Sequence, residues 1–369
     1  VKARVLAAMS GGVDSSVAAF LLKEAGYDVT GVTMCMGIPS GDGGDRRTCC
    51  SPEAIRDADR VCTALGIPHY VIDVSRELKS MVIDTYVAEY LRGRTPNPCI
   101  ACNRYLKFGI LLEKAKASGF DYLATGHYAM IANNGGGLRL RRPRDTIKDQ
   151  TYFLACIRRD VLGSVLFPLA HLTKEEVRAR ARGIDAPIAR RRESQDLCFA
   201  RHKDASALFP PLAEASKPGL IVDLHGNLLG EHRGTLFYTI GQRRGLGIAA
   251  RSRLYVVAID ARQRRVVVGP KEALRAEGLV ASQVNLLASN LPDRAYAKIR
   301  YRSRPARCRI EPRGDSDRIT VMFEEPQDAV TPGQSIVFYE GEMVLGSAVI
   351  DERIGTPATT PPLHQGADR

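Results

Sequence analysis

The chain has 369 residues, is 44% hydrophobic and 25% charged, and carries 53 Lys+Arg against 41 Asp+Glu, a formal net charge of +12. That length calls for two or three domains, and that composition excludes a fibrous or low-complexity chain. No apolar run reaches the length of a bilayer span and no signal-peptide pattern is visible, so neither a membrane span nor a membrane partner is expected and a cytoplasmic location is.

The apolar run Val5 to Met9 reads as a buried strand, and Val17 to Leu22 as a helix. Between them lies Ser10-Gly11-Gly12-Val13-Asp14-Ser15-Ser16. A strand, a glycine turn and a helix start together form an anion site. The first helical N–H groups lack partners, the helix dipole favours negative charge, and glycine lets the main chain approach a phosphate. The Walker pattern is excluded because no Lys follows the glycines, and the dinucleotide fingerprint because its third glycine is missing. Ser-Gly-Gly-x-Asp-Ser resembles the pyrophosphate loop of the ATP pyrophosphatase superfamily. That resemblance implies ATP, adenylation of a carbonyl-type oxygen and release of pyrophosphate. Asp14 could then orient the loop and, with Mg²⁺, help hold the phosphates.

Downstream, Asp28 to Met34 is a predicted strand, Ser51 to Leu65 a helix with Pro52 in its first turn, and His69 to Asp73 a strand. Glu77 to Leu91 and Tyr105 to Ser118 follow as helices, and Phe120 to Thr125 as a strand. This alternation predicts an α/β fold, a doubly wound parallel sheet with helices on both faces. Ligands of such sheets bind at the carboxyl ends of strands, so Met9-Ser10, Met34 and Ala124-Thr125-Gly126-His127 should share one rim.

Around Phe209-Pro210-Pro211 the pattern changes to short β runs: Leu220 to Leu224, Tyr255 to Ile259, Arg265 to Val268, Ala297 to Tyr301, Arg318 to Phe323, Ser335 to Tyr339 and Met343 to Ile350. They predict a small central β-rich domain and a C-terminal β-barrel. The expected organisation is a nucleotide-binding catalytic domain over 1–205, the central domain over 206–275, the barrel over 276–355, and a Pro- and Thr-rich disordered tail over 356–369.

Arginines cluster at 139–144, 178–192, 243–244, 262–265 and 300–309. Such clusters suit a polyanion larger than ATP, with RNA the leading candidate; the competing reading is solvated surface arginine. The turn Gly241-Gln242-Arg243-Arg244-Gly245 can equally be a hairpin whose arginines meet water. Of nine cysteines, Cys35, Cys62, Cys156 and Cys308 read as small core residues. Cys49-Cys50 reads as a loop pair without a role, a zinc site being the weaker alternative. Cys102, near a helix start with Arg104 and Lys107, and Cys198, after Arg190-Arg191-Arg192, have electropositive surroundings that favour thiolate. For either thiol alone, an inert residue explains the pattern as well.

Thr95-Pro96-Asn97-Pro98 with Cys102-Asn103, Ala124-Thr125-Gly126-His127-Tyr128, Lys148 to Leu154, Ser194 to Phe199, Thr239 to Gly247 and Thr331-Pro332-Gly333-Gln334 follow the glycine loop in this order. The ordered series resembles the tRNA-specific 2-thiouridylase family from about Arg4 to about Ile354. The resemblance implies 2-thiolation of the wobble uridine (U34) of tRNA anticodons. ATP would adenylate uracil O2, and sulfur would come from a cysteine persulfide loaded by a sulfur-donor protein, a persulfide carrier or a cysteine desulfurase. It gives Cys102 the nucleophile's role and Cys198 the persulfide's, one cysteine freeing the sulfur through a disulfide. It places Ala8, Met9, Ser10, Gly11, Gly12, Val13, Asp14, Ser15, Met34 and Gly126 at ATP. It sets Asn97, Pro98, Cys99, His127, Lys148, Asp149, Gln150, Arg300, Tyr301 and Gln334 against the tRNA anticodon stem-loop. A monomer is expected.

One departure stands out. Many relatives carry Asp where this chain has Cys99. Cys99, Cys102 and Cys198 could together hold a [4Fe-4S] cluster with one open iron, so a cluster route stays beside the persulfide route. Two other readings also stand: another pyrophosphate-loop ligase or amidotransferase, which would not need two reactive thiols, and a non-catalytic RNA-binding protein. Bland readings persist residue by residue, with His127 as a hydrogen-bonded rim residue, Lys148-Asp149-Gln150 as a polar loop, and Arg300-Tyr301 as part of a solvated strand.

Overall fold

The structure is a computed structural model, and it describes residues 2–37, 51–133, 135, 137–184, 186–189, 213, 215–313 and 317–355. Strands β1 (Arg4–Ala8), β2 (Asp28–Cys35), β3 (His69–Asp73) and β4 (Tyr122–Ala124) follow the predicted order. A hairpin, β5 (Met130–Asn133) and β6 (Leu138–Arg141), then precedes β7 (Val165–Leu166). The first sheet runs β3-β2-β1-β4-β7, and every neighbouring pair is parallel. Alternate residues of β1 serve opposite faces. Val5 and Ala7 join one core with Val17, Ala58 and Val177, while Leu6 joins another with Leu106 and Leu111.

The first face is covered by α1 (Val13–Glu24) and α2 (Pro52–Leu65). Ser51 caps α2 by accepting from Ala54 N at 3.2 Å, with Pro52 opening the helix. On the other face the predicted helix over 77–91 is three pieces: α3 (Ser75–Leu78), a π-helical stretch (Lys79–Ile83) and α4 (Asp84–Leu91). The next helix starts earlier than Tyr105. It runs through α5 (Pro98–Ala101), a π-helical stretch (Cys102–Leu111) and α6 (Leu112–Ala117). Its start follows from Asn97, whose side chain accepts from Cys99 N at 3.1 Å, and from Pro98 in the first turn. Short α7 (Thr151–Leu154) precedes α8 (Lys174–Ile184) and α9 (Ala186–Ala189), with α8 returning to the α1 face.

The central unit is a four-stranded sheet of β8 (Gly219–Val222), β9 (Leu228–His232), β10 (Tyr255–Asp260) and β11 (Arg265–Gly269) in the order β10-β11-β8-β9. The last six strands are β12 (Arg275–Leu286), β13 (Arg294–Lys298), β14 (Ala306–Pro312), β15 (Ile319–Asp328), β16 (Ser335–Glu340) and β17 (Met343–Ile354). They run β12-β15-β14-β13-β16-β17, and β17 pairs back to β12, closing an antiparallel barrel. The expected strand over 297–301 ends at Lys298, and Arg300 begins a turn in which Ser303 N reaches the Arg300 carbonyl at 3.1 Å. The hairpin β5–β6 extends the barrel sheet through Met343 opposite Arg141.

No helix among the described residues is long and apolar enough to cross a membrane.

Candidate functional site

The glycine turn sits where β1 hands over to α1. Met9 N donates to Val32 O at 2.7 Å, so the turn starts pinned to β2. Gly11 has φ +63°, and a Cβ there would collide with the Ala54 carbonyl of α2. Gly12 caps α1 in extended conformation, and its carbonyl accepts from the Ser15 and Ser16 hydroxyls at 3.0 and 2.8 Å. Ser10 N and Oγ both lie 3.2 Å from Ser15 Oγ. The loop is therefore shaped before any ligand arrives, with the N–H groups of α1's first turn at its mouth.

The rim expected at the strand ends is present. β1, β2 and β4 are parallel neighbours ending at Ala8, Cys35 and Ala124. Gly126 lies over the loop: a Cβ on it would stand 2.7 Å from Asp14 C and Ser15 N. The next residue, His127, holds Thr125 Oγ1 at 2.8 Å through Nδ1 and packs between Phe108 and Phe167, with ring centroids 6.1 and 6.3 Å away. Burial, with the Lys107 charge behind it, holds the imidazole well below its usual pKa, so it is neutral at neutral pH. Phe108 belongs to the helical stretch that carries Cys102. Glycine loop, β4 rim and thiol-bearing helix thus form one contact series.

Cys102 opens the ten-residue π-helical stretch and is 6% exposed. It shares an apolar cluster with Met34 and Met36 from the end of β2. Extended π geometry is rare and concentrates at functional sites. Cys99, one turn earlier, is half-buried. Asn103 and Lys107 fix the helix from the side. Asn103 Nδ2 donates to Phe153 O at 3.0 Å, and Lys107 Nζ donates to Asn103 Oδ1 at 3.0 Å. Burial pushes the thiols of Cys62, Cys156 and Cys308 up to about 12, which fits the core role expected of them. No disulfide joins the described cysteines. Cys198, Cys49 and Cys50 lie outside the described residues.

Two residues that sequence reading passed over hold Asp14. Lys174 Nζ lies 2.6 and 2.7 Å from its two carboxylate oxygens, and Tyr128 Oη donates to Oδ1 at 2.8 Å. Lys174 is the first residue of α8, behind a capping box: Glu176 Oε2 accepts from Thr173 N at 2.7 Å, and Glu176 N donates to Thr173 Oγ1 at 3.3 Å. The Thr173-x-x-Glu176 spacing was the signal that could have placed Lys174 at a helix start. Asp145 adds a second tie, its Oδ2 accepting from Lys174 N at 2.8 Å.

The residues expected against RNA divide into groups. Gln150 is a scaffold for Tyr128, accepting from its N at 2.8 Å and donating from its own N to its carbonyl at 3.0 Å. Asp149 is buried, accepting from Thr151 N and Oγ1 at 2.9 and 2.6 Å and facing Arg142 Nε at 3.5 Å. Lys148, just before it, is half-buried. Tyr301 stacks near Phe153 at 4.6 Å and Tyr152 at 6.3 Å, so the barrel reaches the Asn103 side of the thiol-bearing helix. Gln334 Nε2 donates to Thr95 O at 2.7 Å, and Thr95 N donates to Pro332 O at 2.9 Å. Gly333, at φ +90°, allows that approach: a Cβ would stand 3.0 Å from Thr95 N and C. The barrel thereby clamps the segment leading through Asn97 and Pro98 into Cys99 and Cys102. Arg300, next to Tyr301, donates from NH2 to Asp328 O at 3.0 Å.

Fold and site together define a class. Residues 3–202 match the family described as tRNA methyl transferase HUP domain, 212–270 the tRNA methyl transferase PRC-barrel domain and 276–350 the Aminomethyltransferase beta-barrel domain. A tRNA-specific 2-thiouridylase MnmA 1 from Syntrophus aciditrophicus (strain SB) is 54% identical over 354 residues, covering 96% of this chain and 94% of that protein. Another MnmA 1, from Caldanaerobacter subterraneus subsp. tengcongensis, is 45% identical over 362 residues, covering 96% and 99%. The MnmA of Geotalea uraniireducens (strain Rf4) is 46% identical over 362 residues, covering 96% of each chain. The chain belongs to the tRNA-specific 2-thiouridylase family.

Proposed function

We propose that this chain is an ATP-dependent tRNA-uridine 2-sulfurtransferase acting on the wobble uridine, U34. The observation that carries this reading is the contact series from the glycine loop through Gly126, His127 and Phe108 to the helix of Cys102. It supports an activating site and a sulfur site on one rim. Uracil O2 attacks the α-phosphorus of ATP, the Pα–O–Pβ bond breaks, and pyrophosphate leaves from the glycine loop. The terminal sulfur of a persulfide on Cys198 attacks C2, and AMP leaves with the former O2. Cys102 thiolate then attacks Cys198 Sγ, freeing the sulfur on C2 and leaving a Cys102–Cys198 disulfide for an external thiol to reduce. The donor loading Cys198 is a persulfide carrier or cysteine desulfurase. Unpaired anticodon bases make entry of the target base inexpensive.

Both oxygens of Asp14 are engaged by Lys174, and Tyr128 adds to one of them, so this carboxylate does not present itself to Mg²⁺. Among the described residues no three His, Cys, Asp or Glu side chains are grouped to hold a metal. Cys198 lies outside them. A cytoplasmic monomer, with catalytic, central and barrel units over 1–205, 206–275 and 276–355, completes the reading.

The test is in vitro thiolation read by nucleoside mass spectrometry. Cys102→Ala and Cys198→Ala lose 2-thiouridine while keeping ATP and tRNA binding. Cys156→Ser keeps at least half the activity, because its thiol is buried and burial pushes its pKa up to about 12. Full thiolation by Cys198→Ala would overturn the sulfur route.

A further inference from the structure

The connection from β9 to β10 in the central unit contains a turn whose shape serves none of its outward side chains. Between Glu231 and Asp260 the sequence holds five arginines and no acidic residue. Four of them, Arg243, Arg244, Arg251 and Arg253, are exposed and enter no ion pair among the described residues. The turn is nonetheless built. Gly241, Gly245 and Gly247 have φ of +88°, +75° and +71°. At Gly245 and Gly247 a Cβ would meet nothing, so glycine is there for backbone direction and not for close packing. One side-chain amide spans the turn: Gln242 Oε1 accepts from Thr239 N at 3.1 Å, and Nε2 donates to Arg244 O at 3.1 Å. Gln242 O also accepts from Val256 N at 2.9 Å. Leu246 and Ile248 face the central core, which leaves Arg243 and Arg244 pointing to solvent.

The turn's position matters as much as its charge. A Cβ on Gly241 would lie 2.9 Å from Ala329 Cβ and 3.9 Å from Arg300 NH1. Ala329 leads directly into Thr331 to Gln334, the clamp on Thr95. The two arginines therefore begin where the barrel's contribution to the site ends. We propose that the Gly241–Gly247 turn is a second grip on RNA, in which Arg243 and Arg244 bind the phosphodiester backbone of the substrate beside Arg300. The proposal rests on the tRNA reading above. Arginine's fork matches phosphate oxygens, and a run without a single carboxylate suits a continuous polyanion better than a protein surface of mixed charge.

The experiment compares the full chain with its Arg243→Ala/Arg244→Ala variant, binding fluorescent unmodified tRNA over a series of salt concentrations. The expected result is about tenfold weaker binding at low salt and a salt slope smaller by about two, with thiolation at saturating tRNA unchanged. Gln242→Ala, which frees the turn but keeps both charges, should weaken binding by less. Native affinity and slope in the double variant would overturn the grip while leaving the tRNA reading standing. Failure of the native chain to bind tRNA would overturn both. Native tRNA binding with slowed turnover only when sulfur comes from a donor protein, and not from inorganic sulfide, would assign these arginines to an acidic protein and overturn the RNA grip.

Discussion

Replacing Lys174 by Met isolates the bolt between α1 and α8. The ammonium touches both Asp14 oxygens at 2.6 and 2.7 Å, and the side chains are only 12% and 33% exposed. Breaking a fully buried pair costs about 3–5 kcal/mol and an exposed one about 0.2–1 kcal/mol. The Asp14 side is partly wet, and Lys174 at a helix start opposes the dipole by about 0.3–1 kcal/mol. The net expectation is a loss of about 2 kcal/mol, which lowers Tm by about 4–8 °C for a unit of roughly 200 residues. Asp14→Asn/Lys174→Met leaves no orphaned charge and should lose less than the sum of the single changes. A double-mutant cycle by thermal and urea unfolding should therefore show coupling above about 1 kcal/mol. Coupling below about 0.3 kcal/mol, with an unchanged Tm for Lys174→Met, would refute the pairing as a stabilising contact.

Gly126→Ala drives a methyl to within 2.7 Å of the Asp14–Ser15 backbone, so the KM for ATP should rise at least about tenfold while tRNA affinity holds. Equal KM values would show that the glycine approach does not shape the nucleotide site. His127 gives a pH signature. Its folded pKa is depressed by burial and then by Lys107, so the unfolded chain takes up the proton first as pH falls below about 6.5. Native stability should therefore decline below that pH by up to about 1.4 kcal/mol per unit, a slope that urea unfolding of His127→Phe should lack.

Local chemistry made much of the fold legible. His69 to Asp73 is a strand with the expected limits, and Ser51-Pro52 starts α2 as its cap chemistry requires. The meeting of the glycine turn and Gly126 followed from one rule about strand ends. Tertiary partners account for what was missed. The hairpin of Met130–Asn133 and Leu138–Arg141 is too short and too charged to announce itself, and gains its place by joining the barrel sheet. The helix of Cys102 starts at Pro98 because Asn97 caps it, a local signal that the expected start at Tyr105 leaves out. The side chains of Asp149, Gln150 and Gln334 each bond within the protein, which fixes the loops that carry them. No spacing in the sequence could reveal that Gln334 would reach Thr95.

The stitch between Arg141 and Met343 orders events during synthesis. The hairpin leaves the ribosome about 200 residues before the strand it docks against exists. Until then its β6 edge lacks the barrel strand it pairs with. A nascent chain stalled before residue 343 should be soft to protease near 130–141 and harden only once the barrel closes, so truncations that spare the thiol-bearing helix would still yield an incomplete enzyme.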